Sequence, residues 1–295
     1  MNQPVPVPRP APRPVPAPRL AHDAPALVRR AHPCMGTVFS FAVAVPTVGS
    51  AGGSPGEEAA VAAIEDAMVL LRRLDAAWSP FQPDSLVSRL RRDEQVIAEV
   101  DDPDGSLGLD EVLERCALAV RLTGGAFDPW SLSGGFDPSG VVKGWAVERA
   151  VGVLRAHGLT DVAVGGGGDV AVRGSSHRPD VEGWRIGVRD PADAQRLIAR
   201  TVLAGRGAIA TSGVYERGRH IQDPRTGRTA PGQFVGLSVI GPNLTWADVI
   251  ATALIAEGRI DVEWLDRLPE YRVLAVDASG QVSGSALDEV ELIAA

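Results

Sequence analysis

This chain has few cysteines, no long apolar runs and fewer basic than acidic residues. The two cysteines, Cys34 and Cys116, lie far apart, which excludes a disulfide framework and a CxxC metal motif. We expect both to be unpaired thiols in the core or at the surface. The formal net charge of -8 argues against nucleic acid as the main partner, because binding a phosphate backbone requires a basic surface.

The N-terminal segment also lacks an apolar run. Residues 1–30 form a Pro/Arg/Ala tract, and proline at this density favours extended polyproline II, so we predict a disordered tail there. No signal-peptide core and no membrane span is present, which predicts a cytoplasmic protein. The chain is long enough for one large domain or two small ones with an ample core, and the domain is expected over residues 31–295. Within that domain, we expect regular structure to begin near His32.

Hydrophobic periodicity divides the domain into helices and short strands. Helices are predicted over residues 57–76, 109–122, 142–157 and 245–257, with a short helix around Leu86. Strands are predicted over residues 38–45, 161–164, 169–173, 184–188, 201–203, 208–210 and 235–240, followed by a closing hairpin from residue 271. Strands outnumber the helices between them, so an α+β fold is expected rather than a doubly wound sheet.

Polar and glycine-rich clusters lie between these elements, where binding groups are usually carried. Residues 34–37 (Cys-Met-Gly-Thr) are most simply explained by packing at a turn. Residues 125–144 contain two Phe-Asp-Pro units and run into a helix start, whose free N–H groups suit phosphate. Lys143 could add a charge there, and Asp137 could accept hydrogen bonds from a base or ribose. The alternative is an Asx-turn followed by a solvated lysine.

Four consecutive glycines precede Asp169, between two predicted strands. Glycine allows close approach of the backbone to a ligand, but a plain hairpin turn explains the run equally well. The segment is neither a Walker A loop nor a dinucleotide fingerprint, since no Gly-Lys-Ser/Thr and no long helix follow it.

The last cluster lies near the predicted helix over residues 245–257. Asp248 and Thr252 are four residues apart, so a carboxylate and a hydroxyl share one face of that helix. Both supply oxygen, the ligand that Mg²⁺ prefers, and Mg²⁺ commonly takes few protein oxygens together with substrate phosphates. A helix cap with a solvated face is the alternative for this pair alone.

Taken in order, these motifs closely resemble the ApbE family, the FAD:protein FMN transferases, from about residue 32 to the C-terminus. The matching segments are Met-Gly-Thr at 35–37, Gly-Ala-Phe-Asp-Pro at 125–129, Gly-Val-Val-Lys-Gly at 140–144, the glycine run at 165–169, Thr-Ser-Gly at 211–213, His-Ile-Gln-Asp-Pro-Arg-Thr-Gly at 220–227, and Ala-Asp-x-x-Ala-Thr at 247–252.

The resemblance implies two interleaved α/β subdomains with mixed or antiparallel sheets, an FAD cleft between them and Mg²⁺ at the pyrophosphate. Its implied metal ligands are Asp248, Thr252 and the carbonyl of Gly140. Its implied FAD contacts are Met35, Phe81, Ala126, Phe127, Asp128, Asp137, Lys143 and Gln222. His220 and Asp223 would line the cleft near the reacting phosphates, and either Asp248 or His220 would take the proton from the attacking hydroxyl.

The activity implied by the resemblance is transfer of the FMN half of FAD to a Thr or Ser hydroxyl, with release of AMP. The acceptor would be a redox protein carrying a Ser/Thr-Gly-Ala-Thr-like motif. Hydrolysis of FAD to FMN and AMP, or FAD binding without catalysis, are the alternatives. The chain departs from the family pattern at Ser79-Pro80-Phe81, where a phenol hydroxyl is lost, and at Pro138-Ser139. It also lacks the lipoprotein leader common in the family, which predicts a cytoplasmic acceptor.

Overall fold

The structure is a computed structural model that describes residues 26–45, 56–92, 105, 107–131, 134–213 and 221–293. Most of the predicted tail lies outside these residues. The first strand begins at Ala26, so the expected start of regular structure near His32 is wrong. The reason is strand pairing: residues 26–34 form a continuous antiparallel ladder with the following strand, in which Ala26 pairs with Val45.

Five α-helices and thirteen strands make up the described chain. The helices are α1 (Glu57–Trp78), α2 (Leu86–Arg91), α3 (Leu109–Leu122), α4 (Ser139–Ala156) and α5 (Leu244–Glu257). The strands are β1 (Ala26–Cys34), β2 (Thr37–Val45), β3 (Val162–Gly166), β4 (Asp169–Gly174), β5 (Trp184–Asp190), β6 (Asp193–Leu203), β7 (Gly205–Gly213), β8 (Gln222–Asp223), β9 (Arg228–Thr229), β10 (Phe234–Gly241), β11 (Arg272–Asp277), β12 (Val282–Ser283) and β13 (Val290–Leu292).

The strands form one large and two small sheets. The large sheet has eight strands in the order β1-β2-β3-β4-β7-β10-β11-β12, and a three-stranded sheet has the order β13-β6-β5. The third sheet is the hairpin β8-β9. Every ladder between described strands is antiparallel, so the predicted α+β class with antiparallel sheets is confirmed.

The eight-stranded sheet is covered on both faces, so successive residues along a strand pack into different hydrophobic clusters. Along β7, Ala208 and Ala210 pack into the cluster shared with the helices, while Ile209 packs into the cluster shared with the three-stranded sheet. Along β11, Val273 faces the helices and Leu274 faces the small sheet. The molecule is therefore layered as helices, large sheet and small sheet, and β3, β4 and β7 lie in the middle layer.

Several boundaries differ from the sequence prediction. Strand β6 begins at Asp193 rather than residue 201, because its polar first half faces solvent and gives no apolar alternation. Helix α4 begins at Ser139 rather than residue 142, since the Asp137 carboxylate accepts a hydrogen bond from the Ser139 amide at 3.0 Å. Both cysteines are buried and free. In the described part of the chain, no helix combines the length and apolar character needed to cross a bilayer.

Candidate functional site

A cleft of about 590 Å³ opens between the helices and one end of the large sheet. Its lining comes from the β1–β2 turn, the end of α1, the segment before α4, the start of α4, the β3–β4 turn, the end of β7, the β8 region and α5. Eleven of the predicted site residues line it: Met35, Phe81, Ala126, Phe127, Asp128, Asp137, Gly140, Lys143, Gln222, Asp248 and Thr252. His220 lies outside the described residues, so its position stays a prediction.

The β1–β2 turn contributes Met35 in a left-handed conformation. Met35 has a φ of 51° and Gly36 a φ of 66°, the conformation of a two-residue turn with positive φ at both positions. Such a backbone costs a residue with a Cβ on the order of 1–3 kcal/mol. The Met35 amide donates a hydrogen bond to Asp75 of α1 at 3.2 Å, which fixes the turn against the cleft. Met35 packs against the main hydrophobic core, as the packing interpretation predicts, and the turn also lines the cleft.

The two Phe-Asp-Pro units form linked turns at the cleft wall. Asp128 accepts hydrogen bonds from the Trp130 amide at 2.8 Å and the Ser131 hydroxyl at 2.6 Å. The Asp137 amide donates to the Pro129 carbonyl at 2.8 Å, which joins one unit to the other. The Asx-turn interpretation of this segment is thus confirmed for both aspartates. The same turns leave Ala126–Asp128 and Asp137 facing the cleft.

Glycines place the start of α4 against its neighbours. A Cβ on Gly140 would lie 2.7 Å from the Phe127 ring, so only glycine lets the first turn of the helix approach that side chain. A Cβ on Gly144 would lie 2.8 Å from the Thr245 Cα and 2.9 Å from the Leu244 carbonyl oxygen at the start of α5. The close crossing of α4 and α5 brings the side chain before Gly144 to the first turns of α5.

That side chain, Lys143, lies between two buried carboxylates. Its Nζ is 2.7 Å from Asp169 Oδ2 and 3.4 Å from Asp248 Oδ2, and neither aspartate is more than 2% exposed. Burial alone would lower the pKa of Lys143, but the two carboxylates outweigh burial and raise that pKa above its usual range. Lys143 is therefore a fixed ammonium at this end of the cleft, and the alternative of a solvated lysine is wrong.

Asp169 is the residue that the predicted site set did not include. Its side chain is fully buried, and besides contacting Lys143 it accepts a hydrogen bond from the Thr211 amide at 2.8 Å. The carboxylate therefore ties the start of β4 to α4 and to the end of β7. A signal was present in the sequence, since Asp169 directly follows the glycine run, but its partners are 26 and 42 residues away in sequence.

The glycine run is both a hairpin turn and part of the cleft. Gly167 and Gly168 have φ values of 64° and 97°, and they connect the paired residues Gly166 and Asp169. This confirms the simple turn. Gly167 also lines the cleft, where a Cβ would lie 3.0 Å from the Thr37 hydroxyl.

Helix α5 presents Asp248 and Thr252 to the same end of the cleft. Asn243 is the N-cap residue and accepts a hydrogen bond from the Trp246 amide, so neither Asp248 nor Thr252 is a cap. Asp248 is 2% exposed, and the Thr252 hydroxyl lies 3.2 Å from the Ser212 hydroxyl of β7. The alternative of a helix cap with a solvated face is therefore wrong for this pair.

The oxygen-bearing residues at this end could hold a hard divalent cation. Asp248 offers a buried carboxylate and Thr252 a hydroxyl one helical turn later, and both line the cleft together with Gly140. Within the described chain, no three His, Cys, Asp or Glu residues cluster as a metal site. Mg²⁺ suits such a sparse oxygen set, because it retains waters and binds substrate phosphates rather than a complete protein cage.

Asp223 departs from the expectation that it lines the cleft. Its carboxylate turns toward Arg225 of the β8–β9 hairpin, with a distance of 2.8 Å between Arg225 Nε and Asp223 Oδ1. Arg225 also contacts Glu257 at the end of α5 at 2.8 Å. Asp223 therefore shapes the hairpin, while its neighbours Gln222 and Pro224 line the cleft.

Part of this chain is similar in sequence to curated proteins. A FAD:protein FMN transferase of Vibrio cholerae is 33% identical over 152 residues, which cover 48% of this chain and 45% of that protein. A FAD:protein FMN transferase of Rhodobacter capsulatus is 37% identical over 134 residues, covering 42% of this chain and 24% of that protein. The matched region thus spans less than half the length of these curated relatives.

Two solved structures show that the fold is shared over nearly the whole chain. The ApbE protein of Thermotoga maritima aligns with a TM-score of 0.68 at 23% identity, covering 88% of this chain and 97% of that one. The flavin transferase ApbE of Vibrio cholerae aligns with a TM-score of 0.66 at 21% identity, covering 89% and 98%. The model of the ApbE family matches residues 35–133 and 131–275, which is most of the sequence. The chain belongs to the ApbE family.

Proposed function

We propose that this protein binds FAD in the cleft and transfers its FMN half to a Thr or Ser hydroxyl of an acceptor redox protein, releasing AMP. The carrying observation is the arrangement at one end of the cleft, where the Lys143 ammonium lies beside the buried carboxylates of Asp169 and Asp248, and Thr252 follows Asp248 one helical turn later. The names of the relatives support the same activity. The cleft volume of about 590 Å³ lies within the range of small-molecule sites, about 300–1,000 Å³.

Binding of the dinucleotide follows from the lining residues. The helix α4 N-terminus presents its first amides and partial positive charge at the cleft, which suits the pyrophosphate. One turn later, the Lys143 ammonium offsets part of the negative charge of Asp169 and Asp248, and a divalent cation would offset the rest beside the diphosphate. Phe81 is 89% exposed at the cleft and can cover an aromatic ring, and the Asp137 carboxylate can accept hydrogen bonds from ribose or base.

The transfer step needs positioning and charge neutralisation more than covalent help. The acceptor hydroxyl oxygen forms a bond to the FMN-side phosphorus, the bond from that phosphorus to the bridging oxygen breaks, and AMP leaves with that oxygen. Mg²⁺, held by Asp248, Thr252 and the Gly140 carbonyl, would supply charge neutralisation at the diphosphate when bound. The Lys143 ammonium stays beside the Asp169 and Asp248 carboxylates during the transfer.

The hydroxyl proton must go to a base within hydrogen-bond reach. Asp248 is a candidate because its carboxylate faces the cleft beside Lys143, and His220 is the other candidate from the sequence. Because Asp248 is also a proposed metal ligand, the variant that distinguishes them is His220→Gln, with the pH dependence of transfer as the measurement. Loss of the acidic limb of the profile identifies His220 as the base, and an unchanged limb leaves Asp248.

The test of the proposed activity is incubation of the protein with FAD, Mg²⁺ and candidate redox proteins bearing a Ser/Thr-Gly-Ala-Thr-like motif. We expect the intact mass of one acceptor to increase by an FMN group, with flavin fluorescence in the denatured gel band and AMP in solution. Free FMN with an unmodified acceptor would show a pyrophosphatase instead. FAD that stays intact after long incubation would show a binding protein without catalysis.

A further inference from the structure

Helix α5 begins against a carboxylate of α4. Glu148 Oε1 accepts a hydrogen bond from the Leu244 amide, the first amide of α5, at 2.8 Å. The Asn243 side chain caps the same helix end by accepting a hydrogen bond from the Trp246 amide. A helix N-terminus has free N–H groups and a partial positive charge, so a carboxylate is favourable there. Glu148 is therefore a second cap of α5, and it comes from a different helix.

The Glu148 carboxylate is itself held by the large sheet. Its other oxygen, Oε2, accepts a hydrogen bond from Arg173 of β4, and the two side chains are only 12% and 10% exposed. Arg173 also donates to the Val172 carbonyl at 2.7 Å, and its own carbonyl accepts from the Trp184 indole at 3.0 Å. Glu148 therefore cannot swing away without leaving a buried arginine unpaired, which is costly.

The Glu148 bond acts together with two other contacts between α4 and α5. Gly144 lies so close to α5 that a Cβ there would be 2.8 Å from the Thr245 Cα. Lys143 Nζ lies 3.4 Å from Asp248 Oδ2. One close crossing leaves a helix free to rotate about its own axis, whereas contacts at several points fix its rotation as well as its position.

The rotation of α5 decides where its oxygen-bearing side chains point. Asp248 and Thr252 lie about one and two turns after Leu244. A rotation of α5 by about 20° would move a side-chain oxygen that lies about 5–6 Å from the helix axis by about 2 Å. A Mg²⁺–oxygen bond is only about 2.0–2.1 Å long, so such a rotation would separate the two side chains from a shared ion.

We propose that Glu148 is a positioning residue for the metal site. By accepting the hydrogen bond of the Leu244 amide while paired with Arg173, it sets the rotation at which Asp248 and Thr252 converge on one divalent cation. This inference rests on the proposed function and adds a residue on which ion binding depends. Glu148 is not among the described residues that line the cleft, so it acts through the helix and not by contact with FAD or the ion.

The test removes the cap and measures ion binding. Glu148→Met takes away both acceptor oxygens and keeps the length of the side chain. Electron paramagnetic resonance of Mn²⁺ in the presence of FAD, without an acceptor protein, gives the dissociation constant of the ion. We expect Mn²⁺ to bind about tenfold more weakly, at the lower end of the effect of residues that orient metal ligands. The dissociation constant for FAD, measured in EDTA, should change by less than about threefold, because Glu148 does not contact the dinucleotide.

Further variants separate positioning from stability. Asp190→Leu is the matched control, because Asp190 is also a buried carboxylate that accepts from one backbone amide, of Ala192 at 2.8 Å, and from one arginine, Arg196 at 2.7 Å. It lies in the β5–β6 hairpin and should lose stability but keep wild-type Mn²⁺ affinity. Glu148→Gln retains an oxygen for the first amide of α5 and should stay within about threefold of wild type. If Glu148→Met does not fold, the double variant with Arg173→Met decides, since it leaves no unpaired buried charge.

Three results would overturn the inference. The first is wild-type Mn²⁺ affinity in Glu148→Met. The second is an equal loss of Mn²⁺ affinity in Asp190→Leu, which would show a general effect of stability, or in Glu148→Gln, which would show that the cap is not responsible. The third is an equal loss of FAD affinity in Glu148→Met, because Glu148 would then support the whole cleft. Wild-type protein that does not bind Mn²⁺ in the presence of FAD would instead count against the proposed function.

Discussion

At the residue scale, a few charged and polar side chains decide what one end of the cleft can bind. Asp248 is nearly fully buried, which is unfavourable for a carboxylate unless a cation lies beside it. Lys143 supplies one such charge at 3.4 Å, and Thr252 and Gly140, the other proposed ligands of a second cation, line the same cleft. Spacing predicted only that this pair of α5 residues shares one helix face, and the metal-ligand role was implied by the family resemblance. Neither gave any sign of Lys143 between two carboxylates.

Asp248→Ala should abolish Mg²⁺-dependent transfer, because the variant loses the proposed carboxylate ligand and one candidate base. We expect transfer to fall by at least about 100-fold, in line with the loss of a key electrostatic group. The measurement is the rate of FMN incorporation into the acceptor across a Mg²⁺ titration, with circular dichroism as the folding control. Wild-type rates at ordinary Mg²⁺ would remove Asp248 from the mechanism.

Asp169 and Lys143 should behave as a coupled pair. Asp169→Asn removes one partner of a buried contact, which costs stability, since breaking such a pair typically costs about 3–5 kcal/mol when no other partner remains. Lys143 retains Asp248, so we expect a smaller loss. Replacing Lys143 by Met in addition should cost less than the sum of the two single losses, with a coupling energy of about 0.5–3 kcal/mol. Urea denaturation of all four proteins measures it, and strict additivity would show that the contact is not formed.

At the element scale, the site exists because α4 and α5 cross closely. Gly144→Ala would place a Cβ 2.8 Å from the Thr245 Cα, against backbone that cannot rotate away. We expect the helices to separate and the free energy of unfolding to fall by about 1–3 kcal/mol, the usual cost of overpacking. FAD affinity should fall as well, since the separation moves Lys143 relative to Asp248.

The matched control for the crossing lies in the same helix. A Cβ on Gly152 of α4 meets nothing within 4 Å, so Gly152→Ala should be neutral or stabilise the protein by up to about 1 kcal/mol, because alanine favours helix. Thermal denaturation and FAD titration compare the two variants. Equal effects at positions 144 and 152 would contradict the role of the crossing.

The β8–β9 hairpin should make stability depend on pH. A hydrogen bond from Arg225 lowers the pKa of Asp223 below its ordinary value of 3.8. A carboxyl whose pKa is lower in the folded state adds stability above its unfolded pKa, and that contribution is lost as pH falls through the folded pKa. Asp223→Asn should therefore lower Tm at pH 7 by a few degrees, and the difference from wild type should shrink below about pH 4. A Tm difference that stays constant from pH 7 to pH 2.5 would contradict this role.

At the scale of the whole molecule, local sequence signals predicted where helices and strands lie better than which elements pack or pair with one another. Helix α3 was predicted with the bounds that the structure has, since amphipathic spacing and a following Thr-Gly-Gly are local. Strand β6 was underestimated because its first half is exposed. The order of the eight-stranded sheet, and the contact of Asp169 with α4, arise from long-range pairing that no window of sequence contains.

The cleft itself was located from the order of the motifs and not from any one of them. Met35, Asp137 and Thr252 come from distant parts of the chain, yet all three line one cavity. Single motifs such as the glycine run have simple structural explanations, and for that run the hairpin turn is correct. Geometry explains why the family pattern contains these motifs together: each contributes to the wall of the same space.

A crystal structure of the protein with FAD and Mn²⁺, in which anomalous scattering locates the ion, tests the proposed site most directly. We predict one ion in contact with Asp248, Thr252 and the Gly140 carbonyl, with FAD phosphate oxygens completing its coordination at about 2.0–2.2 Å. An ion bound elsewhere, or FAD phosphates that lie away from α5, would contradict it.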